Sequence, residues 1–134
     1  MTQPTPRELV LAYVEAFNAY DMKRLREIFA PDARIWGVLG HGDLDFAEPV
    51  WSELHHGMEM RLEVVDLIVE GDKVAARYHE TGRFVGPFRG LAGKTPTGRT
   101  YAVPAMEWFE TTNGRITARW GARNSASIEL QVLD

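Results

Sequence analysis

The chain has 134 residues, with 15 Lys and Arg against 19 Asp and Glu, which gives a net charge of -4. This length provides one hydrophobic core, so we expect a single domain over residues 1–134. The acidic balance argues against a nucleic-acid-binding protein, which needs a basic face. The chain contains no cysteine, which excludes disulfides, thiol nucleophiles and cysteine-bound metal centres.

The beginning of the sequence carries no targeting signal. Residues 1–7 are polar and include two prolines, whereas a signal peptide needs an apolar stretch. The longest apolar run, residues 9–14, is too short to cross a bilayer. We therefore expect a soluble cytoplasmic protein without a membrane partner.

The first half of the chain predicts three helices. Residues 5–8, Thr-Pro-Arg-Glu, form a capping box with proline at the first helical position. Apolar residues then recur at helical spacing up to Phe17. Asp21 can cap a second short helix, and Asp45 with Glu48 predicts the start of a third.

The second half of the chain predicts strands. Residues 60–69 and 73–84 are rich in β-branched side chains and flank a turn. Residues 99–111 and 115–123 form a second hairpin, and residues 125–134 are expected to add a final short element. Three helices followed by long strands indicate an α+β fold, in which helices pack into the concave side of one curled antiparallel sheet.

Two familiar site patterns are incomplete. Gly93-Lys94-Thr95 looks like the end of a phosphate-binding loop, but the first glycine of that motif is replaced by Phe88, and Pro96 prevents the helix that should follow. The four histidines lack metal-ligand spacing. We therefore expect no metal and no cofactor. His41 lies on a glycine-rich loop and is the histidine best placed to contact a ligand.

Two carboxylates interrupt apolar strand faces. Glu80 shares a face with Tyr78 and Phe84, and Glu107 shares one with Tyr101 and Phe109. A carboxylate in such surroundings is costly to ionise unless a cation pairs with it. Each one therefore indicates either a neutral acid or a nearby cation.

Arg119 is the candidate partner of Glu107. The length of the turn between their two strands decides whether they lie opposite each other. A three-residue turn ending in a left-handed Gly114 places Arg119 opposite Glu107. A two-residue turn places Trp120 there instead, and the sequence leaves both registers open.

These residues allow two interpretations. Glu80, Glu107 and Arg119 form a structural ion pair in a filled core, or they line a cavity and move protons. The supply of aromatic residues favours a cavity. The residues predicted to bind substrate there, besides His41, are Tyr13, Phe17, Trp36, Trp51, Tyr78, Phe84, Tyr101 and Phe109.

Several segments resemble the SnoaL-like polyketide cyclases of the nuclear-transport-factor-two-like superfamily. They are residues 16–21, 29–33, 70–77 and 113–116, the last followed by Trp120, and the resemblance extends over nearly the whole chain. It implies a cone-shaped curved antiparallel sheet with three N-terminal helices enclosing a deep pocket. It also implies a homodimer. Strand alternation places Met106 and Trp108 on the face opposite Glu107, and an exposed apolar patch there would mark the partner surface.

Enzymes of that family close a ring by intramolecular aldol condensation without metal or cofactor. The resemblance places their proton-abstracting acid directly after the last-strand tryptophan, where this chain has Gly121. A further frequent acid is replaced by Asn124. Glu107 is the acid that remains in this constellation.

The resemblance implies a cyclase or isomerase that closes a ring in a hydrophobic, carbonyl-bearing substrate. Glu107 is then the general base or acid, Arg119 supports it, and Glu80 is a secondary polar contact. Pericyclic or spiro closure stays open as the reaction type. The alternatives are a non-catalytic protein that binds a small apolar ligand, and an epoxide hydrolase that uses Glu80 with Glu107.

Overall fold

The computed structural model describes residues 2–133, which form four helices and one six-stranded sheet. This arrangement confirms the α+β class and adds a C-terminal helix where a short final element was expected. None of the helices described is long and apolar enough to cross a bilayer. In chain order the elements are α1 (Pro6–Asn18), α2 (Met22–Ile28), β1 (Phe29–Gly37), β2 (Gly40–Gly42), α3 (Leu44–Met58), β3 (Arg61–Glu70), β4 (Lys73–Arg83), β5 (Thr100–Thr112), β6 (Arg115–Arg123) and α4 (Ser125–Leu133).

Side-chain caps fix the starts of the first two helices as predicted. The Thr5 hydroxyl accepts the Glu8 N–H at 3.1 Å, and the Glu8 carboxylate accepts the Thr5 N–H at 2.9 Å. Asp21 caps α2 by accepting the Arg24 N–H at 3.1 Å. Each cap satisfies a backbone donor that the helix itself leaves unpaired.

The predicted start of α3 is wrong by two residues. Asp43 is the cap, because its carboxylate accepts the N–H of Phe46 at 3.0 Å. Asp45 and Glu48 instead form ion pairs with Arg26 of α2, at 2.7 and 2.5 Å. Both carboxylates are thereby engaged in holding α2 against α3.

The sheet has the strand order β2-β1-β6-β5-β4-β3. Neighbouring strands are antiparallel except for β1 and β6, which are parallel. A long intervening chain joins these two strands, so no tight turn restricts their relative direction. Apolar residues of α1 and α3, including Val10, Tyr13 and Trp51, pack with the inner face of the sheet as one core.

The β5–β6 hairpin begins with a two-residue turn. Asn113 and Gly114 have positive φ angles of 51° and 76°, as a tight hairpin turn requires. Thr112 therefore pairs with Arg115. Of the two turns that the sequence leaves open, the structure has the two-residue one.

A β-bulge then changes the register of this hairpin. Thr117 is the extra residue, because Thr111 pairs with Ile116 and Glu110 already pairs with Ala118. The Thr117 hydroxyl donates to the Glu110 carbonyl at 3.2 Å, which supports the irregular backbone.

The bulge determines what lies opposite Glu107. A continuous two-residue hairpin would place Trp120 there, but the inserted residue places Gly121 opposite Glu107 instead. Both registers considered from the sequence are therefore wrong. Arg119 lies two residues away on the same face, at a diagonal position that a long side chain can bridge.

The outer face of the sheet carries tryptophans. Trp36 of β1 stacks on Trp120 of β6, with ring centroids 4.7 Å apart and planes inclined by 3°. Trp120 pairs in register with Trp108 of β5. Met106 follows on the same face and is 56% exposed. We call Trp36, Met106, Trp108 and Trp120 the tryptophan patch.

Candidate functional site

A cavity of about 80 Å³ lies between α1, α3 and the inner face of the sheet. Apolar side chains such as Phe17, Trp51 and Leu54 form much of its wall. Residues 37–40, between β1 and β2, also line it, and Val38 among them is 48% exposed. This volume holds several water molecules, so a larger ligand must extend past residues 37–40 or displace them.

A buried ion pair contributes the first polar region of the wall. Arg119 Nη1 lies 2.5 Å from Glu107 Oε2, and the two side chains are 12% and 9% exposed. The hydroxyl of Tyr13 donates to the same carboxylate oxygen at 3.0 Å. Glu107 is therefore paired with a cation and held by a helix side chain, while its other oxygen, Oε1, and the neighbouring Tyr78 hydroxyl make no hydrogen bond of ordinary geometry.

Two glycines leave space for the Arg119 guanidinium. A Cβ atom at Gly37 would lie 3.2 Å from Nη2, and one at Gly121 would lie 3.4 Å from Cζ and Nη2. Arg119 Nη2 also donates to the Trp36 carbonyl at 3.1 Å. The guanidinium thus links β6 to the end of β1 while it pairs with β5.

A second ion pair repeats this arrangement elsewhere on the same wall. Glu80 is fully buried and forms an ion pair with Arg123, whose side chain is 11% exposed. The hydroxyl of Tyr101 donates to Glu80 Oε2 at 2.6 Å, and Arg123 Nη2 donates to that hydroxyl at 3.1 Å. Each unit therefore combines one carboxylate, one arginine and one tyrosine.

Burial affects the tyrosines of both units and Tyr78. It raises the pKa of Tyr13, and the negative charge of Glu107 raises that pKa further, against the opposing effect of Arg119. Burial and the charge of Glu80 likewise raise the pKa of Tyr101. Burial and Glu107 raise the pKa of Tyr78, although its hydroxyl makes no hydrogen bond of ordinary geometry. All three tyrosines are therefore neutral at physiological pH.

The structure brings together most of the predicted polar residues. Seven of the predicted site residues line the cavity, namely Tyr13, Phe17, Trp51, Tyr78, Glu80, Glu107 and Arg119. Tyr101 lies outside the lining, where it supports Glu80. Phe109 packs edge-on against Tyr13, with ring centroids 5.2 Å apart, and Phe84 is buried in the core. These three side chains do not reach the cavity.

Two further predicted residues belong to the other side of the sheet. Ile35 lines the cavity, so strand alternation turns the neighbouring Trp36 side chain to the outer face. His41 pairs with Trp36 across β1 and β2, is exposed, and stacks on its indole at 6.3 Å. Their predicted place in the pocket is corrected accordingly.

Arg123 is the polar site residue that sequence reasoning missed. It occupies the last position of β6, beyond the apolar pattern that identified the strand. The available signal was its spacing, because it lies four residues after Arg119 and therefore on the same strand face. No group of three or more His, Asp or Glu side chains within residues 2–133 is arranged to hold a metal ion.

Comparison with known proteins agrees with this fold. The model of the SnoaL-like domain matches residues 10–119, so the chain belongs to the SnoaL-like domain family. A search of curated proteins found no match.

Solved structures give similar folds. IdmH, a candidate polyketide cyclase from Streptomyces antibioticus, is 27% identical, with a TM-score of 0.82 over 94% of this chain and 96% of its own. A candidate polyketide cyclase from Pseudomonas putida is 25% identical, with a TM-score of 0.81 over 96% and 98%. AclR, a candidate hydroxylase from Streptomyces galilaeus, is 21% identical, with a TM-score of 0.80 over 93% and 92%. The last likeness concerns the fold alone.

Proposed function

We propose that this protein is a cofactor-independent cyclase or isomerase that acts on a hydrophobic, carbonyl-bearing substrate of the polyketide type. The observation that carries the proposal is the Glu107 carboxylate. It lies in a largely apolar cavity, is held by Arg119 and Tyr13 through Oε2, and has an Oε1 atom that makes no hydrogen bond of ordinary geometry. The family membership supports the same class of function.

The proposed proton transfer uses Glu107 Oε1. This oxygen takes a proton from a carbon next to a carbonyl, and the C–H electron pair moves into an enolate. The enolate carbon then attacks a second carbonyl, or is reprotonated at another position in an isomerisation. In either case Glu107 returns the proton, so no external reductant, oxidant or metal is consumed.

Arg119 and Tyr13 act in this proposal as positioning residues. Their hydrogen bonds to Oε2 fix the carboxylate orientation, and the positive charge of Arg119 lies close to where negative charge develops on the enolate. The register supports the assignment of Glu107, because it lies directly opposite Gly121, where the family resemblance places the catalytic acid.

The geometry does not favour the epoxide hydrolase alternative. Glu107 pairs with Ala76 of β4, and Glu80 lies four residues further along that strand, or about 13 Å. Each carboxylate is also bound to its own arginine. The two acids are therefore separate contacts and do not flank one water molecule.

Exchange of α-protons tests the proposal without knowledge of the native substrate. The probe is acetophenone in D2O, with loss of its methyl proton signal followed by NMR. We expect the wild-type chain to accelerate exchange and Glu107→Gln to lower the rate by about 10²–10⁴-fold. Glu53→Gln, which alters an ion pair on the outside of α3, is the matched control. Wild-type exchange at the buffer rate, with binding retained, would favour the non-catalytic ligand-binding alternative.

A further inference from the structure

The unpartnered polar groups of the protein are concentrated at one place. Among residues 2–133, five buried side-chain atoms lack a hydrogen-bond partner. The side chains that carry them all line the cavity, and they are Tyr78, Glu80, Glu107, Arg119 and Arg123. Unsatisfied buried polar atoms destabilise a fold, so their confinement to the cavity wall indicates that the cavity contents, water or a polar ligand that displaces it, supply the missing partners.

The Glu80–Arg123 pair is not required by the chemistry proposed for Glu107. It lies about 13 Å away along the strand direction and makes its own hydrogen bonds to Tyr101. A buried ion pair is also a weak source of stability, since apolar side chains of similar volume often replace one without loss. Neither catalysis nor packing therefore accounts for this pair.

The free atoms of this pair define the chemistry that it can bind. Glu80 Oε1 accepts a hydrogen bond, and Arg123 Nε donates one. A hydroxyl group can form a hydrogen bond with both atoms, because it is a donor and an acceptor at once. A carbonyl oxygen can only accept the hydrogen bond from Arg123.

We propose that Glu80 and Arg123 form a second polar contact in the cavity, which binds a hydroxyl group of the ligand remote from the group held at Glu107 and Arg119. This inference rests on the proposed function insofar as the cavity is the substrate site. It narrows the substrate class to apolar compounds that carry a carbonyl group at one end and a hydroxyl group at the other. Glu80 is then a specificity residue, and Tyr101 is the positioning residue that orients it.

A pair of phenols that differ by one hydroxyl tests this assignment. The probes are 4-ethylphenol and 4-(2-hydroxyethyl)phenol, and the measured quantity is the ratio of their dissociation constants by calorimetry. The main variant is Glu80→Leu/Arg123→Met, which removes both charges together and avoids leaving one of them buried alone. Glu80→Gln keeps the side-chain volume and serves if the double variant does not fold.

In the wild-type chain the second hydroxyl should improve binding relative to 4-ethylphenol. The double variant should reduce that preference by about tenfold or more, as expected for a lost hydrogen bond to a charged group. Glu80→Gln replaces a charged acceptor by a neutral one, so it should reduce the preference by a smaller factor. Glu53→Gln, outside the cavity, should leave the ratio unchanged. An unchanged ratio in the cavity variants, or no binding of either phenol to the wild-type chain, overturns the proposal.

The same measurements separate this inference from the proposed function. If wild-type protein does not accelerate α-proton exchange while the ratio still responds to Glu80 and Arg123, the catalytic proposal fails and the second contact stands. If exchange depends on Glu107 while the ratio is indifferent to Glu80 and Arg123, the second contact fails and the catalytic proposal stands.

Discussion

The guanidinium of Arg119 lies directly over Gly121. A Cβ atom at position 121 would come within 3.4 Å of its Cζ and Nη2 atoms, which is ordinary contact distance and leaves little spare room. The position where the family resemblance expects an acid is thus covered by the cation that pairs with Glu107. Positions 107 and 121 both lie beside the Arg119 guanidinium. The carboxylate can therefore be transferred from position 107 to position 121 by mutation.

A carboxylate transferred to position 121 should restore proton transfer. Glu107→Gln removes the proton acceptor, and Gly121→Asp adds one on the neighbouring strand beside the same Arg119. Glu107→Gln should lower the rate of α-proton exchange by about 10²–10⁴-fold, the usual contribution of a general base. We expect Glu107→Gln/Gly121→Asp to recover at least part of that lost rate. Glu107→Gln/Gly121→Ala, which adds bulk without an acid, should recover none. Equal rates in these two double variants would contradict the shared role.

Removing one member of the Glu107–Arg119 pair should destabilise the fold more than removing both. Arg119→Met leaves a buried carboxylate without its cation, at a cost of about 3–5 kcal/mol in the free energy of unfolding. Glu107→Gln/Arg119→Met should cost less, because no uncompensated charge remains. Urea denaturation measures both. The exposed pair Asp66–Arg77 is the control, and Asp66→Asn should change stability by less than about 1 kcal/mol.

The buried tyrosines should make the protein sensitive to alkali. The pKa values of Tyr13, Tyr78 and Tyr101 are raised in the folded state, whereas unfolded tyrosine ionises near pH 10. Above that pH the unfolded chain loses protons that the folded chain retains. The stabilisation is therefore complete below pH 10 and is lost as pH rises further, by about 1.4 kcal/mol per pH unit for each tyrosine.

Absorbance at 295 nm checks this directly. Tyr13, Tyr78 and Tyr101 should ionise only together with the loss of circular dichroism. Smooth ionisation of these three in a folded protein would show that their hydroxyls are accessible. Tyr13→Phe should make the alkaline transition less steep.

We propose that two copies of the chain associate through the tryptophan patch. Met106, Trp108 and Trp120 are 56%, 42% and 37% exposed, and contiguous exposed apolar surface of this kind marks interaction sites. Light scattering should give a mass near twice the 15.1 kDa of one chain, and Trp108→Lys should halve it. Leu11→Lys, at an exposed apolar residue of α1, should have no effect. A wild-type mass near 15.1 kDa would contradict association.

The sequence predicts most helices and strands of this fold, because helix caps and strand alternation are largely local properties. Thr5 and Asp21 cap their helices as the pattern indicates. The register of the β5–β6 hairpin could not be predicted in this way, because the bulge at Thr117 has no distinctive local sequence pattern. One inserted residue there decides whether Gly121 or Trp120 lies opposite Glu107.

The candidate site shows where alternation stops being informative. The pattern correctly turns Glu80 and Glu107 inward, but it does not tell how deep an inward side chain lies. Phe84 and Phe109 are therefore inward and yet packed beneath the cavity. In β1 the predicted pocket residue Trp36 faces outward, and its neighbour Ile35 faces the cavity.

Trp36 connects the cavity wall to the stacked tryptophans on the outer face of the sheet. Its backbone carbonyl holds Arg119 on the cavity side, while its indole is stacked on Trp120 on the other side. Two parallel indoles at this separation couple their excited states, and the coupling depends steeply on their offset. A ligand that shifts Arg119 should also displace the Trp36 backbone and change the offset between the two indoles. Ligand binding in the cavity should therefore change the near-ultraviolet circular dichroism of the tryptophans, without any added label.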